Sequence, residues 1–183
     1  MKKVLLAAIV LMSTQAGFSQ ISKGNWMVGG SAGFSSTKHG TDKYTDFSVS
    51  PDAGYFFMDK FAAGLNLDYY VDNPAIYHSS TTLTIAPFIR YYFLPTGQQV
   101  NIFANAEYGF GSQKYNTSES VNEFTISAGP AVFLSPSAAL EFALYYSSYG
   151  GDYYGSGSDR ANTIGLKVGF QIHLGGGSHG SKK

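Results

Sequence analysis

Apolar and polar residues alternate one for one along most of this chain, most cleanly near its C-terminal end. From Thr163 to Leu174 one set of positions holds Ile164, Leu166, Val168, Phe170, Ile172 and Leu174; the other holds Gly165, Lys167, Gly169, Gln171 and His173. A strand points successive side chains to opposite faces, so this stretch has one apolar face and one small or polar face. A helix would need apolar positions three and four apart, and these are absent. The run is about twice the usual five or six residues of a soluble strand. It fits a tilted strand crossing a bilayer, which takes roughly 9–11 residues.

The same design recurs upstream. Strands are expected over Asn25–Ser36, Thr45–Phe57, Phe61–Val71, Thr81–Phe93, Val100–Gly111, Glu123–Leu134 and Ala138–Tyr149. Short turns at Met58–Lys60, Leu94–Gln99 and Ser135–Ser137 follow the even strands. Long polar loops at Lys38–Asp46, Asp72–Ser80, Ser112–Asn122 and Gly150–Arg160 follow the odd ones. Transmembrane barrels have this asymmetry, with short periplasmic turns and longer outer loops. The pattern predicts an all-β fold, an eight-stranded antiparallel up-and-down transmembrane β-barrel. Pro51, Pro87 and Pro130 sit at similar places on the apolar faces of strands two, four and six. Each removes a ladder hydrogen bond, and a bulge at each site would accommodate it.

Composition narrows the reading. Only 13% of the 183 residues are charged, half the usual level of about 25%. Mean hydropathy is nevertheless −0.07, so low charge does not come with a strongly apolar chain. That combination suits a surface facing lipid on one side only. Basic and acidic residues balance at 12 each, with no basic stripe for nucleic acid. Cysteine is absent, which excludes disulfides, thiolate metal sites and a cysteine nucleophile. Residues 1–19 read as a signal peptide: Lys2 and Lys3, then the apolar Val4–Met12, then Gly17 and Ser19 at the small-residue positions before Gln20. Its removal leaves 10 basic against 12 acidic residues, a net charge of −2. The expected organisation is signal peptide 1–19, barrel 20–174 and a flexible Gly/Ser/His/Lys tail 175–183.

Alternation alone does not say which face points outward. A soluble ligand-binding barrel would turn the apolar face inward. Here the apolar face lacks charges, and Lys or Arg at a bilayer midplane would cost about 2–4 kcal/mol. It also ends in aromatics, with Trp26, Tyr55, Tyr69, Tyr91, Tyr108 and Tyr146 expected to form interface girdles. The other face would fill a narrow lumen with Gly, Ala, Ser, Asn and isolated charges.

Pro51 to Phe56 spells P-D-A-G-Y-F before a turn, and Lys167, Gly169, Ile172 and Leu174 follow the polar, glycine, hydrophobic, hydrophobic order of a barrel-assembly signal. On these residues the chain resembles small eight-stranded outer-membrane barrels of the OmpA/OmpX kind. It is most similar to the outer-membrane β-barrel domain family common in Bacteroidetes. The resemblance implies export to the cell outer membrane, an environment of outer-membrane lipid, and recognition of the last strand by the barrel-assembly machinery. Such signals usually close the chain, whereas residues 175–183 follow here.

The inward face carries Asp52, Asp68, Arg90, Glu107, Glu141 and Lys167. The resemblance implies a lumen plugged by salt-bridged charges, since an isolated ion there would be costly. Arg90 is expected to pair with Glu107 and Lys167 with Glu141, each on a neighbouring strand. A static plug is the simpler reading and a gated, ion-selective path the sharper one, because eight strands enclose little more than side chains. Catalysis would draw on His78-Ser79-Ser80, His39 and Asp152 in the loops, but a nucleophile needs a fixed, adjacent base. No histidine pair has metal-ligand spacing, and His173 reads as a lumen or rim residue. No cofactor is expected. The predicted role is non-enzymatic: structure, or surface interaction through four outer loops. A narrow channel comes second, then a lipid-modifying enzyme or a soluble ligand-binding barrel.

Overall fold

A computed structural model describes residues 21–39, 42–74, 80–114, 117–152 and 160–175. The expected signal peptide and residues 176–183 of the expected tail therefore lie outside the described residues. Eight antiparallel strands close into one barrel in sequence order. They are β1 (Trp26–His39), β2 (Asp42–Met58), β3 (Phe61–Pro74), β4 (Ser80–Tyr92), β5 (Val100–Lys114), β6 (Ser118–Ser135), β7 (Ala138–Gly150) and β8 (Ala161–Leu174).

All eight expected strands form, and several run further outward than the alternation suggested. β1 and β2 pair through to His39 opposite Asp42, and β6 begins at Ser118 opposite Lys114. Apart from Tyr44 and Val121, these outer extensions are polar in sequence. Ladder hydrogen bonds define them, and alternation does not reveal them.

Pairing fixes the barrel's dimensions. Starting at Leu174, paired residues lead through Trp26, Tyr55, Ala63, Ile89, Ala106, Ile126 and Tyr146, and re-enter β8 at Ile164, ten residues from the start. With a rise of about 3.3 Å and a strand spacing of about 4.8 Å, that stagger tilts the strands by about 40° and sets a backbone radius of about 8 Å. The closing seam is short, spanning only Trp26–Ala32 against Val168–Leu174.

The expected proline bulges do not occur. Across Pro51 the β2–β3 ladder passes from Val49 opposite Tyr69 to Asp52 opposite Asn66. Across Pro87 the β4–β5 ladder passes from Ile85–Phe110 to Phe88–Glu107, and across Pro130 the β6–β7 ladder passes from Ala128–Leu144 to Ala131–Glu141. Each gap skips as many residues on one strand as on the other, so the register is unchanged. On its other side each proline pairs normally, with Gly30, Leu65 and Ile102. A proline lacks one N–H, on one side only. A gap in that ladder preserves the in–out alternation, which an inserted residue would disturb. The register shifts fall instead between Phe56 and Met58 and between Phe133 and Ser135, beside the tight turns.

The aliphatic face points out. Leu65, Leu144 and Leu166 are 57%, 58% and 81% exposed, against 7% for Arg90 and 4% for Glu141. The buried apolar cluster sits inside the barrel at the end that carries the short turns: Ile21, Met27, Phe56, Ala62, Phe88, Tyr92, Phe103, Ala131, Phe133, Ala139 and Ala143. The chain before β1 helps close this end. Lys60 N donates to the Ile21 carbonyl at 2.7 Å, and Gly24 N to that of Phe56 at 2.8 Å.

Candidate functional site

The lumen is layered because its lining changes along every strand. At the short-turn end, His173 is 3% exposed and stacks among Phe56, Tyr92 and Phe133, with ring centroids 5.9, 6.3 and 5.3 Å away. It is thus a lumen residue. Neither ring nitrogen has a hydrogen-bond partner among the described residues. Tyr92 and Phe103 continue this aromatic floor, with ring centroids 6.1 Å apart.

Above the floor lies an ionic layer whose partners differ from those expected. Arg90 on β4 pairs with Glu141 on β7, its Nη1 donating to Oε1 at 3.1 Å and to Oε2 at 3.0 Å. Lys167 on β8 pairs with Glu107 on β5 at 3.6 Å. Each bridge crosses the lumen to a strand three places away rather than running along the wall. The register supplies the reason. Arg90 stands opposite Asn105, while Glu107 stands opposite Phe88, one diagonal step away. In a barrel of about 8 Å radius, a long side chain reaches the far wall as easily as that diagonal.

Further contacts hold the bridges. Tyr92 Oη donates to Glu141 Oε1 at 3.1 Å, and Arg90 Nε donates to Asn105 Oδ1 at 3.4 Å. The guanidinium carbon lies 4.9 Å from the Phe103 ring centroid and 5.6 Å from that of Phe88. Asn66 and Asn105 each donate to Glu107 Oε2 at 3.3 Å. Asp68, half-buried and one step nearer the long-loop end, accepts from Asn66 Nδ2 at 3.4 Å. Asp52 Oδ2 accepts from Gln171 Nε2 at 2.7 Å across β1. Gly29 stands between these two in the register, and a Cβ there would strike the Gln171 side chain and the Phe170 carbonyl.

On the outer surface the six aromatics of interest fall at two levels. Trp26, Tyr55 and Tyr91 lie at the short-turn end, where Trp26 and Tyr55 touch with ring centroids 5.2 Å apart. Tyr69, Tyr108 and Tyr146 each sit eight residues from the first residue of β3, β5 and β7, and all three are exposed. Eight residues tilted by 40° separate the two levels by about 20 Å, close to the roughly 25 Å band of a transmembrane barrel.

Of the catalytic candidates, Ser80 and Asp152 are described, and each is engaged by another side chain. Ser80 Oγ accepts from Gln113 Nε2 at 3.3 Å, and Asp152 Oδ2 accepts from Ser120 Oγ at 2.7 Å. His78, Ser79 and the His39 side chain lie outside the described residues. No group of three His, Cys, Asp or Glu side chains able to hold a metal occurs among the described residues.

Residues 4–171 match the family model for the outer membrane protein beta-barrel domain. The chain belongs to that family. This outer-membrane barrel resembles Neisserial surface protein A (NspA), with a TM-score of 0.64 at 14% identity over 82% of this chain and 97% of that one. It also resembles OprG of Pseudomonas aeruginosa, with a TM-score of 0.56 at 14% identity over 86% of this chain and all of that one. At such identity these likenesses speak for the fold alone. No curated protein sequence matches the outer-membrane barrel significantly. Family and architecture together place its exposed aliphatic band in outer-membrane lipid. The aromatic floor was missed from sequence. Its signal was present in Phe56, Tyr92, Phe103 and Phe133, large apolar residues on the otherwise small and polar face, all at the short-turn ends of their strands.

Proposed function

We propose that this protein is a sealed, non-enzymatic outer-membrane barrel that acts as a rigid scaffold for its outer loops. The observation that carries the reading is the stack of an apolar floor and an ionic layer across one lumen. Ile21, Met27, Phe56, Tyr92 and Phe103 are 0–1% exposed, and the Arg90–Glu141 bridge spans the space directly above them. A water-filled path would have to open both layers. Lumen charges therefore act as a plug that fixes the wall strands. The aromatic levels act as girdles, because an amphipathic ring suits the headgroup layer. The outer loops, rich in Tyr, Ser, Asn, Asp and Gly, suit adaptable polar contacts with a surface partner. In the last strand Lys167, Gly169, Ile172 and Leu174 serve as the signal read by the barrel-assembly machinery, after export through a cleaved signal peptide.

The test is conductance of the refolded protein in planar bilayers. The sealed reading expects none, for native protein and Arg90→Ala alike. Stepwise conductance of the native protein that changes in Arg90→Ala would establish a channel instead. Unchanged lipid A after deletion of the gene is the matching expectation for a non-enzyme.

A further inference from the structure

Among the charged groups that line the lumen cavity, three carboxylates face two cations. Arg90 is bridged to Glu141 and Lys167 to Glu107, whereas Asp52 makes no ion pair among the described residues and hydrogen-bonds the neutral amide of Gln171. A carboxylate taken out of water needs a compensating charge.

Three oxygens near it also lack partners. Asp52 Oδ1, Asn66 Oδ1 and Gln171 Oε1 have no hydrogen bond among the described residues, and all three residues line one lumen cavity of about 20 Å³. That is room for a single water-sized guest. Asn66 and Gln171 are 6% and 1% exposed, so bulk solvent does not satisfy them.

The amide orientations are fixed by chemistry. The Asn66 nitrogen already faces Asp68 and Glu107, and the Gln171 nitrogen faces Asp52. Turning either amide would set oxygen against carboxylate. All three free atoms are therefore acceptors, one of them charged. Water offers two donors to three acceptors and leaves the charge uncancelled. A hard cation meets both needs, since carboxylate and amide oxygens are its preferred ligands.

We propose that this cavity is a binding site for one small monovalent cation, sodium by size and hardness, held by Asp52, Asn66 and Gln171. The other charges lining the cavity, Arg90 with Glu141 and Lys167 with Glu107, cancel in pairs. A single positive charge thus balances the cavity lining, whereas a divalent ion would leave an excess beside Lys167 and Arg90. The aromatic floor closes one end, so the ion enters from the long-loop side. This site stands apart from the sealed-scaffold reading, because a bound ion is compatible with zero conductance.

The experiment compares thermal midpoints of the native refolded barrel in sodium chloride and in N-methylglucamine chloride at equal ionic strength. At sodium tenfold above its dissociation constant, the midpoint is expected to be about 3–6 °C higher in sodium. Asp52→Asn should abolish the difference, and Glu119→Gln, at the outer end of β6, should keep it. The two-salt comparison uses the native protein, so it decides the matter even if Asp52→Asn does not fold. Equal midpoints in the two salts would overturn the site and leave a neutral Asp52 with an internal water.

Discussion

Removing Arg90 alone should harm this barrel far more than removing Arg90 and Glu141 together. In Arg90→Met the Glu141 carboxylate, 4% exposed, keeps only the hydroxyl of Tyr92 at 3.1 Å. A buried charge stripped of its partner costs about 3–5 kcal/mol. The lost stacking on Phe103 and Phe88 adds little, because methionine fills most of the space. In the double variant Arg90→Met with Glu141→Leu no charge is stranded. Tyr92 loses its acceptor, at about 1–2 kcal/mol, offset by the desolvation no longer required. The double variant should therefore fall within about 2 kcal/mol of the native protein, and the cycle should give a coupling above about 2 kcal/mol. Urea unfolding in lipid vesicles, followed by fluorescence of the single tryptophan, Trp26, reads these values. A parallel cycle between Arg90 and Glu107 should give less than about 0.5 kcal/mol. Comparable coupling in the two cycles, or a single variant costing under about 1 kcal/mol, would refute the cross-lumen pairing.

Three further outcomes follow from the same geometry. Lys167→Met should cost less than Arg90→Met by urea unfolding, because the Lys167 side chain is 27% exposed, its bridge is 3.6 Å long, and the Asn66 and Asn105 amides still donate to Glu107. Gly129→Ala should destabilise the barrel, where an ordinary strand Gly→Ala change gains about 0.5–1 kcal/mol, and slow refolding on a heat-modifiability gel, because the added Cβ would collide with the Phe142 carbonyl across the β6–β7 ladder. Leu65→Arg should cost about 2–4 kcal/mol of urea-unfolding free energy and Leu134→Arg about 0–1, although both leucines are exposed, at 57% and 65%. The first lies midway between the aromatic levels and the second beside a short turn, so equal costs would argue against the bilayer band.

Alternation made the strands and their faces legible. A period of two leaves each residue only two choices, and one face had no charges. It made the short turns legible too, because Asp59-Lys60 and Pro136-Ser137 interrupt apolar runs. Strand ends beyond the apolar band were illegible, since residues such as Ser118 to Ser120 pair by backbone without an apolar face. Proline accommodation was illegible for another reason. A ladder gap and a bulge begin from the same missing N–H and differ only in the register of the neighbouring strand. The ion pairs could not be read from adjacency, because closing the wall brings β4 against β7 and β5 against β8 through space. The charged residues were identifiable one by one; their partners depended on the stagger of ten residues, which appears only when the barrel closes.

The central claim is orientation: aliphatic side chains meet lipid, and the ionic layer lies inside. The chain has no cysteine, so single-cysteine spin labels can be placed one at a time along β7 in lipid vesicles. Labels at Phe142, Leu144 and Tyr146 should be strongly relaxed by oxygen, which concentrates in the bilayer, and labels at Glu141, Ala143 and Tyr145 should not. The opposite phase, or no period of two, would contradict the account.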